Sequence, residues 1–194
     1  IVEDKIYFNN SLGDISAVDA KSGELLWQSP TQSNLILDES FFLKTSDIIA
    51  DKQTLYFSND KNQFYSLDIR TGNLNWRQKI NSTLRPTLID DYLFTISLDG
   101  FLFVIDKNSG NIIRITNLLK NFKPKKRSKI KFTGFIVGNK NIYISTNYGR
   151  LLIAKISTGE IKSIIKIDKD KISRPFILNQ NLIIITDNSI IKLN

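Results

Sequence analysis

One stretch of this sequence gathers side chains that could act together chemically. Lys120, Lys123, Lys125, Lys126, Arg127, Lys129 and Lys131 place seven cations in twelve residues with no acid among them. Subtracting these seven from the formal net charge of +8 leaves the rest of the 194-residue chain nearly neutral, so the charge is local. A run of this kind can meet lipid-headgroup phosphates, nucleic acid or an acidic protein surface. Nucleic acid is disfavoured: only Phe122 and Phe132 interleave with the cations, and single-strand binders add a stacking platform. The plain alternative is a solvated insertion, lysine-rich because the whole chain is rich in Ile, Asn and Lys.

The rest of the catalytic repertoire is closed by composition. The chain has no His and no Cys, which removes a Ser–His–Asp triad, a cysteine nucleophile and His-ligated zinc or copper. No disulfide can form, which fits a reducing compartment and is equally compatible with the periplasm. The acids fall mainly at turns: Asp90, Asp91, Asp99, Asp168 and Asp170 lie in short polar clusters where turns favour Asp. No Gly-rich phosphate loop precedes a helix, no helix is evident, and no run of 18 apolar residues exists to span a membrane. No catalytic residue, metal ligand or cofactor site is therefore expected.

The elements that carry this stretch form a repeat. Four glycines, Gly23, Gly72, Gly110 and Gly159, are separated by 49, 38 and 49 residues. Sixteen residues before each stands an aromatic: Tyr7, Tyr56, Phe94 and Tyr143. Ten before stand Gly13, Asn62, Gly100 and Gly149, and four before stand Asp19, Asp68, Asp106 and, out of pattern, Lys155. Trp27 and Trp76 follow the first two glycines by four residues. Fixed offsets at such a period mark a propeller or similar array. Runs such as Leu55-Tyr56-Phe57-Ser58 are β-branched and aromatic and too short for helices, so they read as buried strands. The Gly or Asn between the first two strands supplies positive φ for a tight hairpin. In Asp-x-x-(Ser/Thr)-Gly the carboxylate caps backbone N–H groups and the glycine takes the left-handed position.

Ala17-x-Asp19-x-x-Ser22-Gly23-x-x-x-Trp27 resembles the tryptophan-docking signature of quinoprotein (PQQ-like) propeller repeats. Ser66-x-Asp68-x-x-Thr71-Gly72-x-x-x-Trp76 is similar to it, too. The third copy keeps Asp106, Ser109 and Gly110 but has Arg114 where the Trp would stand, and the fourth keeps only Thr158 and Gly159, with Ser163 in that place. The resemblance implies that each Trp packs between neighbouring blades. Among such proteins the chain is closest in character to the BamB-type outer-membrane assembly scaffold, and that implies a non-catalytic interaction role in the cell envelope or periplasm, with lipid anchoring of the full-length protein. Two other roles stay open under the resemblance: a fragment of a quinone-dependent dehydrogenase, whose calcium ligands and vicinal cysteines this chain lacks, and a luminal stress-sensor domain of a kinase.

The expected fold is all-β, one PQQ-like propeller domain over 1–194 built from four-stranded antiparallel blades. Blade-like units are expected at 1–28, 41–80, 85–116, 129–167 and 174–194, with linking strands at Phe41–Ile49, Arg85–Asp90, Lys129–Val137 and Arg174–Leu178. Residues 29–40 read as a polar connection and 117–128 as an insertion. Five central strand pairs but only four third strands and four linking strands imply an open arc of a larger ring, for which the family's seven or eight blades would fit. The chain opens in mid-pattern at Ile1, as a processed or trimmed piece would. The two blade faces left open are expected to pair with missing blades or with a second copy.

Overall fold

The computed structural model describes residues 2–10, 13–31 and 43–193. Eighteen strands follow in chain order. The first unit of the repeat gives β1 (Lys5–Asn9), β2 (Ile15–Asp19) and β3 (Leu25–Ser29). Then come β4 (Ile49–Ala50), β5 (Thr54–Asn59), β6 (Gln63–Asp68) and β7 (Leu74–Gln78). These are followed by β8 (Thr87–Ile89), β9 (Tyr92–Ile96), β10 (Phe101–Asp106) and β11 (Ile112–Asn117). After a short helical turn, α1 (Pro124–Arg127), lie β12 (Phe132–Val137), β13 (Asn141–Thr146), β14 (Arg150–Lys155) and β15 (Ile161–Lys166). The last are β16 (Phe176–Leu178), β17 (Asn181–Ile185) and β18 (Ile190–Leu193). They form five sheets of three, four, four, four and three strands among the described residues, each in chain order across the sheet and built of antiparallel pairs.

Two expectations are corrected here. The insertion contains a helical turn, α1, where no helix was expected. Pro124 opens it because Pro suits the first helical position, where its missing N–H has no partner to lose. The linking strands are also shorter than expected. β4 has only two residues, and β8, β12 and β16 start two to three residues late, directly after Pro86 and Pro175 in two cases. Proline has no N–H for the ladder, so pairing begins after it. The polar connection and the start of the first linking strand fall, between residues 32 and 42, outside the described residues.

The chain divides into two compact units, Ile1–Ser97 with Ile105–Ile112, and Leu98–Val104 with Ile113–Asn194. In the first, the same cross-strand row recurs: Tyr7 faces Ala17, which faces Trp27, and Tyr56 faces Ser66, which faces Trp76. A β-bulge follows each row, at Ala17/Val18 and at Ser66/Leu67. A bulge adds a residue and sharpens the local twist. In the second unit Tyr143, Ile153 and Ser163 form the equivalent row, with a bulge at Ile153/Ala154.

Packing of one sheet on the next makes the core. In the first unit Ile15, Leu55, Phe57, Tyr65, Leu67 and Ile69 are buried, with Tyr7 and Trp27 packed on them. In the second, Leu151, Ile172, Leu182 and Ile184 are buried against Ile136, Tyr143 and Ile153. Burying a side chain of this size contributes about 1.5–3 kcal/mol, so a lone three-stranded sheet gains little and a stacked pair gains much. Leu55 and Phe57, 0% and 1% exposed, show this against Ile6 and Phe8, which hold the same repeat positions one unit earlier and are 38% and 46% exposed.

Candidate functional site

The repeat turns are built alike. Asp19 Oδ1 accepts from the N–H groups of Lys21 and Ser22 at 2.9 and 2.7 Å and from the Ser22 hydroxyl at 3.1 Å. Asp68 does the same with Arg70 and Thr71, and Asp106 with Asn108 and Ser109. The Ser22 and Ser109 backbone bonds hold the Asp19 and Asp106 carboxyls below the usual carboxylate range. Burial opposes ionisation of Asp68, yet the hydroxyl and N–H of Thr71 outweigh it and its pKa also falls. All three carboxylates are thus occupied by their own turns. Lys155 cannot accept, so the fourth turn lacks the carboxylate cap and keeps its backbone bonds, among them Gly159 N–H to the Lys155 carbonyl at 2.7 Å, with the Thr158 hydroxyl accepting from Glu160 N–H at 3.2 Å. Gly23, Gly72, Gly110 and Gly159 all have φ between +72° and +74°.

The second and third turns then serve as seats for the preceding sheets. The Trp27 indole N–H donates to the Ile69 carbonyl at 3.3 Å, and that of Trp76 to the Lys107 carbonyl at 2.9 Å. Each accepting residue lies three before a turn glycine. A Cβ on Gly72 would come within 2.5 Å of the Trp27 ring, and one on Gly110 within 2.6 Å of the Trp76 ring. The indoles rest where only a hydrogen fits. Trp76 also stacks on Phe64 at 5.9 Å between ring centres and meets Tyr56 at 6.1 Å; burial pushes the Tyr56 hydroxyl up to about 12. Gly23 has no atom within 4 Å of the place a Cβ would take, so its seat is empty among the described residues.

The third seat is filled by chemistry the repeat pattern did not suggest. Arg114 stands four residues after Gly110, in the Trp position, and its guanidinium donates to the carbonyls of Ile156, at 2.7 Å, and Ser157. Ile156 is again three before a turn glycine, Gly159. Burial lowers the Arg114 pKa, and its Nε is buried without a partner. A second contact, two residues further along the strand, also recurs: the Ser29 hydroxyl and the Gln78 amide donate to the carbonyls of Gly72 and Gly110, and the Thr116 hydroxyl to that of Thr158. Sequence reasoning missed these because Ser, Gln and Thr share no residue type; the constant offset was the signal available.

The basic insertion is an ordered projection of the second unit. Leu118 and Leu119 are buried, and Leu119 lies over Gly100. Lys120 pairs with Glu160 at 2.8 Å, and its ammonium hydrogen bond holds the Glu160 carboxyl below its usual range. Arg127 is consumed internally, donating to the Phe122 carbonyl at 2.7 Å and the Lys120 carbonyl at 2.6 Å. Lys123, Lys125, Lys126, Lys129 and Lys131 are exposed, and no ion pair involves them among the described residues. The exit of the insertion is tied to the next hairpin by Asn147, which accepts from Lys131 N–H at 2.8 Å and donates to the Lys129 carbonyl. Among the described residues no group of three or more acids could hold a metal ion, and no helix is long and apolar enough to cross a membrane.

Five small sheets of antiparallel strands, four carrying the same turn and three seating their third strand on the next turn, are propeller blades. The family described as outer membrane protein assembly factor BamB matches residues 1–116. The chain belongs to that family. No curated protein matches it by sequence. Among solved structures it is similar to BamB from Moraxella catarrhalis at 17% identity, covering 99% of this chain and 70% of that one, with a TM-score of 0.67. It is also similar to the computationally designed Ika8 protein, at 11% identity over 99% of this chain and 55% of that one, TM-score 0.71. The β-propeller domain of Cps50 (Swd1) from Myceliophteria thermophila aligns at 12% identity over 93% of this chain and 58% of that one, TM-score 0.70. At these identities the structural likenesses speak for the fold, and this BamB-family chain is an all-β set of propeller blades spanning part of the length of the propellers it resembles.

Proposed function

We propose that this chain is a non-catalytic protein-interaction scaffold of the cell envelope, working in the assembly of outer-membrane β-barrel proteins. The observation that carries this reading is the family match over residues 1–116. The use of the repeat's polar side chains supports it. Asp19, Asp68 and Asp106 cap their own turns, and Trp27 and Trp76 are spent on carbonyls of the next blade. None of these groups is left to act on a substrate.

Its partners are proteins of the barrel-assembly machinery, together with further blades at the two uncovered faces. Ile6, Phe8 and Leu25 lie on one face of the first sheet at 38–54% exposure. Phe176, Ile185 and Ile190 lie on one face of the last, at 38–73%. Large exposed apolar patches mark contact surfaces, and the shorter span relative to the solved propellers favours further blades as the covering. The test is co-sedimentation of the full-length protein with purified barrel-assembly complex, run beside dye-linked alcohol oxidation in the presence of PQQ and calcium. Stable association without oxidation is the expected result. Oxidation activity, or no association, overturns the reading.

A further inference from the structure

We propose that the insertion between β11 and β12 is a docking point for an anionic lipid bilayer. The ordered core of the insertion holds its charges outward: Leu118 and Leu119 are buried beneath it, Arg127 ties its backbone to itself, and no residue of α1 is buried. The result is five free ammonium groups, those of Lys123, Lys125, Lys126, Lys129 and Lys131, on a projection fixed to the second unit.

The identity of the cations selects the partner. The single arginine, whose planar fork suits specific bidentate recognition of phosphate or carboxylate, is occupied by the Phe122 and Lys120 carbonyls. What remains are lysines, compact point charges on flexible stems, suited to a diffuse layer of headgroups. Protein interfaces are depleted in Lys and are built around aromatic or Arg anchors, and no buried or apolar anchor stands among these five. A nucleic-acid strand would need stacked rings, whereas Phe122 is half-buried and Tyr148 is a single exposed ring. Tyr148 does fit a bilayer: it sits in the hairpin tied to Lys129 and Lys131 by Asn147, and an amphipathic ring is at home at the headgroup level. The next residue but one, Arg150, pairs in register with Lys166, and both are exposed, which extends the positive surface. Clusters of four to eight such cations bind anionic membranes.

The inference stands apart from the scaffold role, because the assay reads the insertion alone. Sedimentation with vesicles of phosphatidylcholine and phosphatidylglycerol is compared with pure phosphatidylcholine across a salt series. Binding only to the anionic vesicles is expected, weakening as salt shortens the screening length. Each lysine removed lowers partitioning by about fivefold, so the combined Lys125→Gln, Lys126→Gln and Lys129→Gln variant loses roughly a hundredfold. A control with Lys44→Gln, Lys52→Gln and Lys79→Gln has the same net charge and keeps its binding. Circular dichroism confirms that both variants stay folded. Equal loss in the two variants, binding to neutral vesicles, or binding to a poly-glutamate peptide or an oligonucleotide but not to vesicles overturns the proposal.

Discussion

Trp76 in the first unit and Arg114 in the second hold the same place in the repeat, four residues after a turn glycine, and reach the same kind of target by different means. Trp76 gives one hydrogen bond, to the Lys107 carbonyl, and covers the turn with a large apolar ring. Arg114 gives two, to the carbonyls of Ile156 and Ser157, and leaves its Nε buried and unpaired. The indole joint gains mostly from packing, the guanidinium joint mostly from charge-assisted hydrogen bonds that carry a desolvation cost. What both need is a main-chain oxygen presented by a turn, so the acceptor is constant and the donor is free to vary.

The comparison is broken most sharply at the glycines. Gly110→Ala combines the left-handed penalty, about 1–2 kcal/mol, with overpacking against the Trp76 ring, about 1–3 kcal/mol, and should lower stability by roughly 3–4 kcal/mol. Gly159→Ala meets the smaller Thr116 side chain and the Leu102 methyl instead of a ring; about 2 kcal/mol is expected. Gly23→Ala, with open space around it, should cost only about 1 kcal/mol. Urea midpoints of the three variants test the order; equal losses would mean that the seats contribute nothing beyond backbone strain.

Truncating the donors comes next. Trp76→Ala should cost about 3 kcal/mol, at the low end for a buried aromatic because the ring is half-buried. Arg114→Ala should cost about 1.5 kcal/mol, the lower range for hydrogen bonds from a charged group. A larger loss at Arg114 than at Trp76 would reverse the assignment of packing and charge to the two joints.

The turns sharpen the contrast at smaller scale. Asp68 has a depressed pKa, so its stabilisation is fully present above the unfolded value near about 3.9 and is lost as pH falls through the lower folded value. Amide exchange in residues 69–73 should accelerate, relative to intrinsic rates, below about pH 4, while residues 156–160, whose turn has Lys155 in place of the Asp, should show only the smaller step that comes from losing the exposed Lys120–Glu160 pair. Lys155→Asp should bring the larger step to the fourth turn and add roughly 0.5–1 kcal/mol, the scale of a side-chain cap.

Much of the architecture is legible in the amino-acid sequence. Positive φ restricts the residue choice, so the glycines at 23, 72, 110 and 159 and the Gly or Asn at 13, 62, 100 and 149 stand out of the sequence. The aromatic at each sixteenth place before the glycine stands out because it is packed against the core, fully buried at Tyr56 and Phe94 and partly at Tyr7 and Tyr143. Arg114 was legible only as a departure, since nothing in an arginine announces that it will reach carbonyls 42 residues away. The recurring hydroxyls were hidden for the same reason. Ser46 accepts from Ser58 N–H, Ser173 accepts from Ile185 N–H, and Thr133 donates to the Ile172 carbonyl, each closing a loop over 12 residues or more. The helical turn at Pro124 was masked by a lysine run whose charge says nothing about backbone form.

Because three successive blades each recognise the next through a carbonyl oxygen, that recognition is blind to most of the genetic text. Whatever side chains packing allows at positions 69, 107 and 156, the main chain there presents the same acceptor. A joint that reads the polymer instead of its decorations lets sequences wander far while the blades keep their seats, which is how folds this alike persist across chains that share little more than one residue in ten.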